Sequence, residues 1–291
     1  MRLCRCRRLR RALAALVVAV TATIAAVRSL WRARDVPFSP LTGGYRIGPE
    51  YPERAGITDG TEPAGEMDDM DAYARPGFDP DALHPEVRRF YERTSEYRMR
   101  YRARWHRGFR TGAALASRLT SRLEQLNLPG PDSEERDLTS RFVGIESDAD
   151  PRDGARMWVR TDADGAGVFV AAYASHERDG ERFVNIAVPL PASNLSTVLR
   201  PEELDCGHPD GAGIELTTRG GRDPGLYLVV PPRAFALPMG QRFRVWPADA
   251  PEAPTIDWAD DPALVATHEM WVFGCRFLTV EYAIQASTST S

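Results

Sequence analysis

The sequence predicts an α+β fold: an antiparallel β-meander forming a bent sheet or barrel, packed by two N-terminal helices and one late helix. Three observations predict it. From about residue 138 the chain becomes a series of short strand-like stretches such as SRFVGIES, ARMWVRT, GVFVAAYAS and RFVNIAVPL, separated by Asp-Gly and Gly-Gly turn signals. Residues 85–126 carry helical rather than alternating periodicity. Asp261 followed by Pro262 has the form of a helix start, ahead of ALVATHEMWVF.

Residues 1–34 hold nine Arg and no acid, and six of those Arg precede the uncharged run Ala12 to Val27. As a helix that run is about 24 Å long, short of a ~30 Å hydrocarbon core unless Arg11 and Arg28 snorkel to the interfaces. The expectation is a single-pass membrane anchor, N-terminus cytoplasmic and the bulk extracytoplasmic. A cleaved signal peptide followed by secretion is the alternative, and a soluble helix the third reading. Residues 35–80 contain seven Pro, seven Gly, ten acids and three Arg without apolar periodicity, which predicts a disordered acidic linker. Residues 81–285 form the expected globular domain, with 286–291 a frayed tail.

The first predicted helix starts near Pro85, with Asp81 or His84 as N-cap, and runs to Phe109. At 100° per residue Val87, Phe90, Tyr91, Thr94, Tyr97, Tyr101, Trp105 and Phe109 fall on one arc. Arg89, Arg93, Arg100, Arg104 and Arg107 fall on a neighbouring one, a basic flank suited to an anionic surface. Leu115, Leu119, Leu123 and Leu126 predict the second helix. The remaining strands continue through GIELTTR, GLYLVVPP and QRFRVW to a long final strand, CRFLTVEYAIQ. Eight or nine such strands tend to curl into a barrel.

All 37 basic residues are Arg. Without Lys a Walker-type phosphate loop, a kinase-type ATP site and Schiff-base chemistry are excluded. No G-x-S-x-G and no G-x-G-x-x-G occurs. His268-Glu269 opens like a zinc-protease helix, but Val272 stands where the second His is required. Cys206, His208 and Asp210 place three ligand-type side chains within five residues, the weak candidates for a metal, although the segment also reads as an ordinary turn. Asp148–Gly154 starts like a calcium loop but lacks the carboxylate at its twelfth position. Cys206 and Cys275 could pair if exported, with separate thiols as the alternative. His176 borders a turn and is expected to be exposed. No cofactor and no resident metal are expected.

The segment HPEVRRFYERTSEYRMRYRARWH, with LEQLNLP about twenty residues later, resembles an uncharacterised family of high-GC bacterial proteins, and DPGLYLVV and WVFGCRFLTVEY extend the resemblance. It implies no activity, cofactor or site residue. The functional expectation is therefore a membrane-tethered, non-catalytic module that binds an apolar small molecule, an anionic lipid or a partner. The alternatives are an enzyme with an unfamiliar site built from His208, Asp210, His268 and Glu269, and an envelope scaffold acting through its basic helix. Nucleic acid is not an expected partner.

Overall fold

The computed structural model describes residues 20–44, 47–109 and 135–287. The architecture is an antiparallel β-barrel with few helices. Its strands are β1 (Tyr97–Trp105), β2 (Arg136–Gly144), β3 (Asp153–Thr161), β4 (Gly167–Arg178), β5 (Glu181–Leu190), β6 (Ser193–Leu204), β7 (Gly213–Thr217), β8 (Gly225–Val230), β9 (Arg233–Ala236), β10 (Met239–Pro247), β11 (Leu264–Val272) and β12 (Cys275–Ala286). The sheet order β5-β4-β3-β2-β1-β12-β11-β10-β7-β6 closes on itself through the β5–β6 pairing, giving a ring of ten strands. The β8–β9 hairpin is added to the first half of β6, because Val198 pairs Gly225 and Asn194 pairs Val229. Closure leaves the ring without a free sheet edge.

The strand alternation defines an inside. Tyr97, Met99, Tyr101 and Ala103 of β1 are buried in the lumen, while the alternating Arg98 and Arg104 are exposed and Arg100 and Arg102 half-buried on the outer face. This corrects the long first helix. A spacing of four keeps Tyr97, Tyr101 and Trp105 on one face of either a helix or a strand. Met99 and Ala103 decide, since they would lie on the far side of a helix but share the inner face of a strand. The helix that forms is α3 (Pro85–Glu92), capped by His84 Nδ1, which accepts the Glu86 amide at 3.2 Å. The late helix is likewise corrected: its residues are β11. Asp261 has φ 42°, the left-handed region, so it turns the chain instead of capping a helix. The second predicted helix lies outside the described residues.

Residues 35–80 are corrected from linker to packed structure. Helix α1 (20–33) lies against the β8–β9 hairpin, where Ser29 Oγ donates to the Ala236 carbonyl at 2.8 Å. The chain then crosses the outside of β5 and β6; the Asn185 and Asn194 side-chain amides donate to the carbonyls of Pro37, Ser39 and Leu41. Gly43 bridges Pro191, α2 (Tyr51–Ala55) follows, and Thr58 bridges Ile145 at the opposite end of the barrel. Ile47, Tyr51 and Ile57 cover an outer apolar cluster with Val143, Met157, Val159 and Val170. Residues 64–92 then fill the base: Met67, Met70, Tyr73, Phe78, Val87, Phe90 and Tyr91 join the lumenal core. Their apolar side chains are irregularly spaced because each seats individually on a surface the barrel already provides. The Pro and Gly between them set turns rather than disorder.

Two ends follow from the strand directions. The base holds the 64–92 plug. The mouth holds the turns 162–166, 191–192, 231–232 and 273–274 together with Trp105 and Met270. Among the described residues no element fills the mouth as the plug fills the base.

Candidate functional site in the barrel lumen

The structure separates the residues singled out in the sequence. His268 and Glu269 are neighbours on one strand and therefore face opposite ways. His268 is inside the lumen, with Nε2 2.9 Å from Gln241 Oε1 and its ring edge-on to Phe243 at 5.6 Å. Glu269 is outside, buried under Arg242 at 2.6 Å, Arg244 at 2.9 Å and Arg276. Burial, the largest single influence, pushes its carboxyl up, but hydrogen bonds from Arg242 and Arg276 together with the charges of Arg242 and Arg244 hold it below the usual range. His208 and Asp210 sit at the base in the loop joining β6 to β7. The proposed His208, Asp210, His268 and Glu269 constellation is thus not assembled.

At the base, His84, His208 and Asp210 bring ligand-type atoms within 4.8 Å of one another, with Cys206 buried nearby as a free thiol bonded to the Gly211 carbonyl. The hydrogen bonding does not suit a metal. His84 Nδ1 accepts from the Glu86 amide and His208 Nδ1 accepts from the Asp210 amide at 3.1 Å. A neutral imidazole that accepts at Nδ1 carries its proton on Nε2, so neither ring keeps a lone pair for a cation. Cys275 is exposed and also free.

The arginine flank is divided by the end of α3. Arg89 and Arg93 ion-pair with Glu96 at 2.8 and 3.2 Å. Arg100 and Arg104 project from the outer face of β1, with Arg100 and Arg102 lying over the Trp258 ring, while Arg107 is in the following turn. His176, expected to be exposed, is buried beneath the 35–41 crossing, with Nε2 3.1 Å from Asp223 and Nδ1 3.2 Å from Asn185.

A different cluster occupies the lumen. Arg156, Trp158 and Arg160 share the inward face of β3. Arg156 is tied to Asp68 and the Gly65 carbonyl. Arg160 has no carboxylate partner among the described residues; its guanidinium lies 3.5 Å over the Trp158 ring and 5.5 Å from Phe169. Around it stand Tyr91 from the plug, Tyr101, Tyr173 and Tyr282 from the wall, Ser140 directly opposite on β2, and Glu66. Tyr101 stacks on Tyr282 at 6.1 Å, and Trp158 meets Tyr173 edge-on at 5.1 Å. Five buried polar atoms here have no hydrogen-bond partner among the described residues: Tyr91 Oη, Tyr101 Oη, Ser140 Oγ, Trp158 Nε1 and Arg160 Nε. Native proteins contain few such atoms, and each costs about 1–3 kcal/mol if left dry. Water or a ligand group is the ordinary remedy.

The electrostatics of the cluster favour neutral side chains around one cation. Burial raises the Glu66 carboxyl to about 8, against the opposing pull of Arg160. Burial, then Arg160, lowers His268 to about 3. Burial raises Tyr101 to about 12 and takes Tyr91 and Tyr173 well above the phenol value. The inward-facing Phe169, Leu195, Gln241, Phe243, His268 and Met270 remain only half-buried, as does Arg160 itself. Sequence reasoning passed over Arg160, Ser140 and Glu66. The available signal was a strand stretch, RMWVR, with Arg at both ends of an otherwise inward Arg-Trp-Arg alternation.

No family model matches the chain, and no solved structure matches it. The chain is similar to the uncharacterized membrane protein YndJ of Bacillus subtilis (strain 168), 30% identical over 265 residues, which is 87% of this chain and 46% of that protein. The chain thus spans about half the length of this relative.

Proposed function

We propose that this protein is a membrane-tethered binding barrel that holds a small amphipathic molecule in its lumen, rather than an enzyme. The observation that carries the reading is the group of five unpartnered buried polar atoms below a half-buried apolar rim. Other unpartnered buried atoms, such as Arg242 Nε and Trp258 Nε1, are scattered outside the barrel, whereas these five converge inside it, and ligand sites combine apolar walls with a few convergent polar groups.

The mouth side supports the tether. Val20, Ile24, Val27 and Trp31 recur on one face of α1 and are exposed; Val27, Leu30 and Trp31 line a groove of about 650 Å³ with Pro231 and Pro232 of the β8–β9 turn. Val230 at the end of β8 and Phe273 in the β11–β12 turn, also exposed, lie at that same end. Apolar groups gathered at one end of a barrel mark a membrane or partner surface. No described helix is long and apolar enough to cross a membrane. The membrane reading therefore rests on this surface, on the basic and apolar run that precedes it, and on the relative described as a membrane protein.

Native mass spectrometry of the full chain, released from mild detergent after incubation with palmitic acid or cetyl alcohol, tests the proposal. A one-to-one adduct with at least one probe is expected, and Met270→Trp, which fills the mouth, abolishes it at unchanged thermal stability. Bare protein with both probes would overturn the reading.

A further inference from the structure

The lumen wall says what the polar end of the ligand must be. The unpartnered atoms are a chemically one-sided set. Arg160 Nε–H and Trp158 Nε1–H are donors only, and the hydroxyls of Tyr91, Tyr101 and Ser140 each have a proton to give. Three of the five belong to residues almost wholly removed from solvent, Tyr91 at 0%, Trp158 at 1% and Tyr101 at 2% exposure. Such atoms cannot be relieved by a small side-chain movement towards bulk water.

Formal charge points the same way. Arg156, two pleats nearer the base on the same face, is balanced by Asp68, but Arg160 has no carboxylate partner among the described residues. The nearby Glu66 makes no ion pair with it, and burial holds much of its carboxyl protonated at neutral pH. His268 is neutral there as well. A partly buried cation surrounded by spare donors is stabilised by an oxyanion placed among them. One unbalanced positive charge calls for one negative charge; a dianion would leave the lumen with a buried excess.

On this basis, and resting on the lumenal-binding reading above, we infer that the ligand is a single-chain amphiphile with a monoanionic oxyanion head, held by Arg160, Ser140, Tyr101, Tyr91 and Trp158. Phe169 stands level with the head beside Arg160, and the apolar chain runs towards the mouth between Leu195, Phe243 and Met270. The head chemistry is shared by a fatty-acid carboxylate and by the phosphodiester of an anionic lysolipid.

Scintillation-proximity binding with the purified full chain distinguishes these cases, using labelled palmitate and labelled cetyl alcohol, which differ only at the head. Palmitate is expected to bind at least ten-fold tighter. Arg160→Gln is expected to reduce palmitate to the affinity of the alcohol while alcohol binding persists, which serves as the folding control. Should Arg160→Gln fail to fold, Ser140→Ala and Tyr101→Phe each reduce palmitate several-fold and leave the alcohol unchanged. Displacement of palmitate by lysophosphatidylglycerol but not by lysophosphatidylcholine would support the monoanion and assign it to a phosphodiester. Displacement by neither would support the carboxylate. Equal affinity for palmitate and cetyl alcohol would overturn the anionic head and leave lumenal binding standing. Absence of binding by both would instead overturn lumenal binding itself.

Discussion

Ser140 of β2 stands directly across from Arg160 of β3 inside the barrel, and neither Ser140 Oγ nor Arg160 Nε has a partner among the described residues. Opposed polar residues on adjacent strands normally satisfy one another. These two instead leave both of those atoms unsatisfied side by side. A Ser140→Val substitution removes one unpaired hydroxyl and adds apolar contact. The unliganded protein is expected to gain about 1 kcal/mol in urea unfolding. A loss of stability would mean that the hydroxyl already has a structural partner.

The buried carboxyl of Glu66 makes stability depend on pH in a defined direction. Its folded pKa of about 8 lies above the ordinary 4.5, so its contribution is fully present below 4.5 and is lost as pH rises towards 8. His268, at about 3 against 6.5, acts oppositely: its contribution is lost as pH falls from 6.5 towards 3. The two offset each other between 4.5 and 6.5. From pH 6.5 to 8 Glu66 acts without that offset, and a decline of up to about 2 kcal/mol is expected at ~1.4 kcal/mol per unit. Glu66→Gln should flatten that interval. His84, His106 and His176, all lowered by burial, contribute their own losses below pH 6.5 and leave the upper interval unaffected.

Glu269 and His268 offer a paired test of inside and outside. Glu269→Ala strips three guanidinium groups of their shared carboxylate and is expected to destabilise by about 2–3 kcal/mol, discounted for the partial exposure of Arg276. Palmitate affinity should be unchanged once the variant is folded. His268→Leu places a larger apolar group on the lumen wall and is expected to alter affinity with little change in stability. Thermal unfolding and binding measured on both variants check the assignment, and a reversed pattern would place the site on the outer face.

Zinc added to purified protein is expected neither to bind stoichiometrically nor to raise the melting temperature, because His84 and His208 use Nδ1 to accept backbone amides. A rise in Tm that His208→Ala removes would show that the loop rearranges to free both rings.

The barrel was legible in the sequence because closely spaced alternating segments with Asp-Gly turns permit little else than antiparallel pairing. Tyr97, Tyr101 and Trp105 misdirected the first element, since every fourth residue satisfies both periodicities. Residues 35–80 misled through composition: a segment that wraps an existing surface needs neither periodicity nor a core of its own, and Ile47 and Met70 are nevertheless fully buried. The lumenal cluster was legible only in part. His268 could be named as a single residue, but Arg160, Ser140, Glu66 and the tyrosines come from separate elements and converge only after the ring closes.

The path of residues 20–92 links two places that would otherwise be independent. Helix α1 rests beside the mouth, the following segment descends the outside of the wall, and the same chain re-enters at the base to supply Glu66 and Tyr91. The floor is itself held in place by its packing in the core and by the ties of Arg156 to Gly65 and Asp68. Between those two ends the segment is fixed to the wall by Asn185, Asn194 and the bridges of Gly43 to Pro191 and Thr58 to Ile145, so one continuous stretch of chain braces the barrel from mouth to base.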